Sequence, residues 1–235
     1  MTLNREQILR EMGLGPVWKL RTALVEKVAA AEPLREVVKV IAAAPPSAAM
    51  AWDELAVAVA ACRQCRLCEA RKQAVLGVGD VNADWLFVGE GPGAEEDQRG
   101  EPFIGQAGKL LDNMLAAIGL KRGQDVYIAN AVKCRPPENR TPAPEEIAAC
   151  RPYLVRQIEL IQPKLIVALG RPAAQTLLQS EIKIAAARGK LHDYHGIPLI
   201  VTYHPAYLLR TLADKAKAWE DLCFMRRTMA AQKGG

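Results

Sequence analysis

Five of the six cysteines carry the first chemical signal in this 235-residue chain. Cys62, Cys65 and Cys68 form a C-x2-C-x2-C run, and Cys134 and Cys150 follow far downstream in KCRPP and ACRPY contexts. Four thiolates drawn from two remote segments suit a tetrahedral zinc ion or a [4Fe–4S] cluster. The spacing leaves both metals open, and leaves either Cys65 or Cys68 as a spare thiol. Cys223, flanked by Leu222 and Phe224 in a helical pattern, reads as core. Around the metal-type cysteines stand Arg63, Arg66, Arg71, Lys72, Lys133, Arg135, Arg140 and Arg151, so a metal there would organise a basic surface.

A second group of residues has acid–base and hydrogen-bonding chemistry. Gly89–Gly108 reads GEGPGAEEDQRGEPFIGQAG and follows the apolar run Trp85–Val88. Gly89, Gly91, Pro92 and Gly93 specify a tight turn where backbone can approach a ligand closely. Strand, glycine turn and helix is also how dinucleotide sites begin. Here Glu90, Glu95, Glu96 and Asp97 would repel a pyrophosphate, and no lysine stands beside the glycines. The loop is therefore expected to hold a neutral group or a water. Asn130, which breaks an apolar strand, and His204, in Tyr-His-Pro, complete the polar set.

The elements that must position these groups alternate strand and helix from Trp52 onward. Strands are expected at 84–88, 125–132, 164–169 and 198–202, with helices at 52–61, 107–118, 145–161, 172–179 and 216–231. A short helix carrying Arg210 follows His204. Apolar strands between amphipathic helices give an α/β fold with a central parallel-type sheet flanked by helices on both faces. In such sheets ligands bind beyond the carboxyl ends of the strands. The glycine loop, Asn130 and His204 all fall there. Residues 1–50 read as a helical N-terminal extension ending in an Ala/Pro linker, and residues 51–235 as the α/β domain.

Composition sets the bounds. Half of the residues are hydrophobic, enough for one sizeable core. A net charge of +5 is compatible with nucleic acid without requiring it. The charged N-terminus has no apolar signal core and no apolar run approaches a membrane span. The expectation is a cytoplasmic protein without a membrane partner, whose cysteines serve metal or redox chemistry.

With these blocks in order the chain resembles the family-4, iron–sulfur uracil-DNA glycosylases. The resemblance runs from about Trp52 to Met229. It rests on CxxCxLC followed by GVGD, on GEGPGAEEDxxGxPFxGxAGxLL, on NAVKCRPPxNRxPxxxE with a later cysteine, and on LIVALG, TYHPAYLLR and AWEDL. It implies a uracil-DNA glycosylase-like fold over residues 51–235 and an enzyme of base excision repair. That enzyme flips uracil out of single- or double-stranded DNA and hydrolyses its N-glycosidic bond, leaving an abasic site without a lyase step.

By the same resemblance Glu90 places or activates the hydrolytic water and Gly91 belongs to the substrate-binding turn. Phe103 stacks on uracil, Asn130 reads its Watson–Crick edge, Glu96 crowds the place of a thymine methyl, and Asn139 helps the pocket or a phosphate. His204 donates to uracil O2 as charge develops, a contribution of roughly 3 kcal/mol for one well-placed donor. Leu208 and Leu209 are candidates to fill the space of the flipped base, and Arg210 to contact phosphate. The implied cofactor is a [4Fe–4S] cluster in preference to zinc, on Cys62, Cys65, Cys134 and Cys150, with Cys68 outside the motif. A monomer acting on DNA is expected, with a protein partner for the N-terminal extension. The sequence departs from the commoner GEAPG with GEGPG, which leaves Glu90 in place. The alternatives are a metal-dependent DNA-binding module and a cytosolic redox protein; neither accounts for Glu90, Phe103, Asn130 and His204 together.

Overall fold

A computed structural model of the chain describes residues 50–233. Of the expected N-terminal extension, all but Met50 lies outside the described residues. The remaining chain builds one six-stranded sheet in the order β1-β3-β2-β4-β6-β5. The strands are β1 (Val78–Gly79), β2 (Trp85–Gly89), β3 (Val126–Asn130), β4 (Leu165–Leu169), β5 (Leu191–Tyr194) and β6 (Ile197–Thr202). Every residue of β2, β3 and β4 is buried, as expected of parallel strands covered on both faces.

The parallel expectation holds for the four central strands and fails at the edges. β1 pairs antiparallel with β3, and β5 antiparallel with β6. A two-residue strand such as β1 is too short to show any period. β5 reads Leu-His-Asp-Tyr and is mostly solvent-facing, so it lacks an apolar run. Its partner is fixed by a two-residue turn, His195-Gly196, with φ of 51° and 88°. Both signs match the primed hairpin turn that suits twisted strands.

Alternation along β2 sends Trp85 and Phe87 to one face and Leu86 and Val88 to the other. The first face packs against α4 (Gln106–Ala117) and α9 (Lys215–Lys233) through Leu111, Leu115, Leu222 and Met225. The second packs against α5 (Pro144–Ile161) and α6 (Arg171–Leu178) through Leu154, Ile158 and Leu177. A third cluster joins α1 (Trp52–Ala61) to Val132, Cys134, Cys150 and Tyr153. Helix α2 (Leu67–Ala70) follows the first cysteines, and α7 (Ile184–Ala187) precedes β5. The glycine stretch is not one loop: α3 (Ala94–Arg99) interrupts it, which the acidic run conceals from hydrophobic periodicity.

Register aligns the strand ends that matter. Gly89 lies opposite Asn130 and Leu169 opposite Thr202, so β2, β3, β4 and β6 finish at one edge. The end of β6 is braced from behind. Thr202 Oγ1 donates to Asp221 Oδ2 at 2.7 Å, and Arg188 Nε donates to the same oxygen at 3.1 Å. Arg188 also lies over the Tyr203 ring, 5.5 Å from its centroid. Asp221 is fully buried, so removing it leaves the Thr202 hydroxyl without its acceptor and takes from Arg188 its buried partner, with Lys217 O and Glu220 remaining. Asp221→Ala is expected to cost about 3 kcal/mol, read as a lower urea midpoint at unchanged slope. A loss under about 1 kcal/mol would show that the brace is peripheral.

Candidate active site

Beyond the aligned strand ends lies a cleft of about 980 Å³. Glu90, Gly91, Glu96, Phe103, Asn130, Asn139, His204 and Arg210 all line it. Its floor depends on a missing side chain. A Cβ on Gly89 would stand 2.4 Å from Asn130 Oδ1 and 2.5 Å from the Phe103 ring. Asn130 is buried, and its Oδ1 has no hydrogen-bond partner among the described residues. A buried acceptor left unpaired is costly, and in a cleft it marks a place for a ligand's donor.

Phe103 is held in a left-handed conformation, φ 54°, that a bulky residue adopts only under restraint. Arg122 supplies it: Nη1 donates to Pro102 O at 2.9 Å and Nη2 to Phe103 O at 2.7 Å. Gly108 completes it, since a Cβ there would lie 1.7 Å from Phe103 O. The ring faces His204 with centroids 5.4 Å apart and a tilt of 31°.

Glu96 braces the loop between β2 and α4. Its Oε2 accepts from Gly93 N–H at 3.1 Å, and its Oε1 from Ile104 and Gly105 N–H at 3.0 and 3.2 Å. Three backbone donors fix this carboxylate against the cleft wall. Glu90 sits where β2 and β3 run on together: Gly89 O accepts from Ala131 N–H and Glu90 O from Val132 N–H. Burial pushes the Glu90 carboxyl up, while Thr141 and Arg171 pull it back toward the ionised form.

His204 caps α8 (Pro205–Arg210). Its Nδ1 accepts from Ala206 N–H at 3.1 Å, which assigns the ring proton to Nε2. Burial, then the Arg210 charge, push its pKa down to about 4 against the opposing pull of Glu96. At neutral pH it is a neutral donor. Arg210 ends α8 at the cleft rim with Arg140, Arg171 and Lys183, all exposed.

The two leucines of this helix part company. Leu208, expected as a wedge residue, is 1% exposed and belongs to the core, so that expectation is corrected. Successive helix residues point about 100° apart, and on this short surface helix that turn separates the two. Leu209 is 41% exposed and takes the outward position. Asn139, on a 3-10 turn (Pro137–Asn139), reaches the cleft edge, its Oδ1 accepting from Arg135 Nε at 2.8 Å. The sequence reading missed Arg171 and Thr141. Arg171 follows the Gly170 that ends β4, the same strand–glycine–helix signal that marked Glu90.

The cysteines Cys62, Cys65, Cys68, Cys134 and Cys150 line one second, small cavity with Arg71, Lys133 and Tyr153. Arg71 Nη1 donates to Cys134 Sγ at 2.8 Å, and Lys133 N–H to Cys150 Sγ at 3.1 Å. The lining contains two cations and no carboxylate, the surroundings of an anionic centre. Burial pushes Cys134 up to about 11 and Cys150 to about 12, so these thiols ionise at neutral pH only when a metal takes the proton's place. Among the described residues no three His, Cys, Asp or Glu side chains are grouped to hold a single metal ion.

Comparison with known proteins follows the same residues. The family model described as "Uracil DNA glycosylase superfamily" matches residues 76–223, a span that contains the whole cleft floor. A type-4 uracil-DNA glycosylase of Archaeoglobus fulgidus is 48% identical over 165 residues, 67% of this chain and 82% of the relative. One from Thermotoga maritima is 47% identical, over 66% of this chain and 82% of its own length. A third, from Pyrobaculum aerophilum, is 44% identical over 68% and 86%.

The low pKa of His204 has a consequence for stability. The unfolded chain binds a proton there near pH 6.5, the folded chain only near 4. Between those values the unfolded state holds more protons, so this residue's contribution rises with pH. The stability gap between wild type and His204→Asn is expected to shift in favour of wild type from pH 4.5 to 6.5 and then level off. Urea midpoints across that range check it; a gap independent of pH would contradict the assignment of a neutral, buried ring.

Proposed function

The chain belongs to the uracil DNA glycosylase superfamily, in its type-4 branch, and from that premise we propose that it takes a flipped uracil into the cleft and hydrolyses its N-glycosidic bond. The observation that carries this reading is the unpartnered Asn130 Oδ1 beside a glycine that leaves room for a ring. Uracil presents a donor at N3 and an acceptor at O4, and one side-chain amide satisfies both. Cytosine presents the reverse at those positions and would leave two buried groups unpaired, a penalty of about 1–3 kcal/mol each.

In this reading Phe103 stacks on the base and Glu96, fixed by its three backbone donors, bars a methyl group at C5. The glycosidic bond breaks toward an oxocarbenium-like sugar with uracil leaving as an anion. His204 Nε2–H donates to uracil O2 and stabilises that charge without giving up its proton. Glu90 orients the attacking water and accepts its proton, a role that suits a carboxylate raised toward neutrality by burial. Arg140, Arg171, Lys183 and Arg210 meet the backbone phosphates, and Leu209 alone of the two leucines reaches the vacated stack. Hydrolysis by water requires no amine nucleophile, so the product is an abasic site on an unbroken strand. Every residue invoked lies on one chain, so a monomer suffices.

Cys62, Cys65, Cys134 and Cys150 would hold a [4Fe–4S] cluster. When bound, the cluster supplies an anionic node that ties the 62–68 segment to the segment from 134 to 150. Among these thiols the charge of Cys68 acts only on Cys65, and there more weakly than Cys62 does, whereas Cys62 acts on Cys65, Cys134 and Cys150. Cys68→Ser is therefore expected to retain full iron content and Cys65→Ser to lose it, measured by iron analysis and visible absorption. The reverse pattern would make Cys65 the spare thiol.

Among the described residues no helix is long and apolar enough to cross a membrane. DNA as substrate points to the cytoplasm, and the N-terminal extension is left to bind a protein partner. The direct test is base release from single-stranded and U·G duplex oligonucleotides carrying one uracil, with and without alkali. Wild-type protein should give strand cleavage only after alkali. Glu90→Gln and His204→Ala should each lower kcat by about 10²–10³. No release from metal-loaded wild type would overturn the enzyme reading, and cleavage without alkali would overturn the monofunctional one.

A further inference from the structure

One buried cation lines the cysteine cavity and also holds the end of β3 at the cleft floor. Lys133 is 1% exposed, and no carboxylate stands among its hydrogen-bond partners. Its ammonium donates to the backbone carbonyl of Asn130 at 2.8 Å and to Gln157 Oε1. Its own N–H donates to Cys150 Sγ. Its carbonyl accepts from Val75 N–H at 2.8 Å, so the residue is fixed at four points.

Helix α5 holds both handles. Cys150 and Gln157 lie seven positions apart, two turns along the same helix face. The first takes the Lys133 backbone and the second takes its side chain. Gln157 is itself oriented, because its Nε2 donates to Leu76 O at 2.9 Å. The amide therefore offers Lys133 its oxygen. Cys150 and Gln157 thus link α5 to the end of β3 through Lys133, with Pro152 standing between them in the helix.

We infer that Lys133 is a positioning residue that sets the base-reading amide of Asn130 and couples it mechanically to the cysteine centre. The inference rests on the proposed uracil excision. Without the ammonium, the Asn130 carbonyl loses a buried charged donor, and the peptide is held less firmly against tilting. A tilt there moves Oδ1 relative to Phe103 and His204. Displacements near 1 Å cost about 10²-fold in rate even when they arise away from the chemistry.

The test is a double-mutant cycle on iron-loaded protein, with Lys133→Met and Asn130→Ala singly and together. Uracil release from a single-stranded oligonucleotide gives kcat/KM, and visible absorption with iron analysis gives cluster content. Lys133→Met is expected to lower kcat/KM about tenfold in the wild-type background and less than about twofold when Asn130 is already alanine. Iron content should be unchanged, because the bond to Cys150 comes from the backbone. Gln157→Met keeps the lysine and removes one of its two acceptors. It is run through the same cycle, so coupling is read even where Lys133→Met yields no folded protein, and the same non-additivity is expected. Equal losses in both backgrounds, with wild type active, would overturn the inference alone. Wild type that releases no uracil would overturn the reading beneath it.

Discussion

The cleft floor exists because one Cα carries no side chain. Gly89 closes β2 opposite Asn130, and the Phe103 ring and the Asn130 amide converge on the space a methyl group would fill. Parallel register alone would bring two backbones together at that edge. The bare Cα lets side chains from two other places approach to van der Waals range. Phe103 then needs its own concession, a left-handed backbone worth roughly 1–3 kcal/mol of strain. Two hydrogen bonds from the Arg122 guanidinium offset it, each worth roughly 1.5–3 kcal/mol. Gly108 repeats the device from the helix side, admitting the Phe103 carbonyl where a Cβ would collide.

Much of this could be read from the chain because β2, β3 and β4 are apolar at every position but Asn130. WLFVG, VYIAN and LIVAL leave no choice of face, so strand, burial and parallel pairing follow together. The convergence of Glu90, Asn130 and His204 followed from the rule about strand ends. What escaped lacks an apolar signature. β5 is half polar and owes its place to a turn on His195-Gly196, outside the Asn-Gly and Asp-Gly pairs that usually announce such a turn. α3 is nearly all charge. Leu208 and Leu209 are chemically identical, and only the rotation of a six-residue helix separates core from surface. Lys133 was read as part of a basic surface and is instead among the most buried side chains in the fold.

The electrostatic design separates binding from chemistry. Exposed Arg140, Arg171, Lys183 and Arg210 ring the cleft, where they meet water as readily as phosphate. Inside, burial pushes Glu90 up and His204 down, each toward its uncharged form. An imidazolium would attract a departing anion more strongly, yet a buried cation beside Arg210 is held off by both desolvation and like charge. A neutral donor already aimed by Ala206 has no such burden, and it gains most when charge appears on the acceptor. The site is thus complementary to a neutral base that becomes an anion.

Helix α5 is where the cavity of thiols and the cleft meet. Its first turn holds Glu146, which accepts two bonds from Arg140 at the cleft rim, and the next turn holds Cys150. Further on, Gln157 anchors Lys133 under Asn130. One helix, with Pro152 between Cys150 and Gln157, therefore bears on the rim, the cysteine cavity and the end of β3. Leu154 and Ile158 pack this helix against the sheet between and beside those groups. Under the inferred coupling, the cysteines act on the cleft without reaching it, through the helix that carries both Cys150 and Gln157.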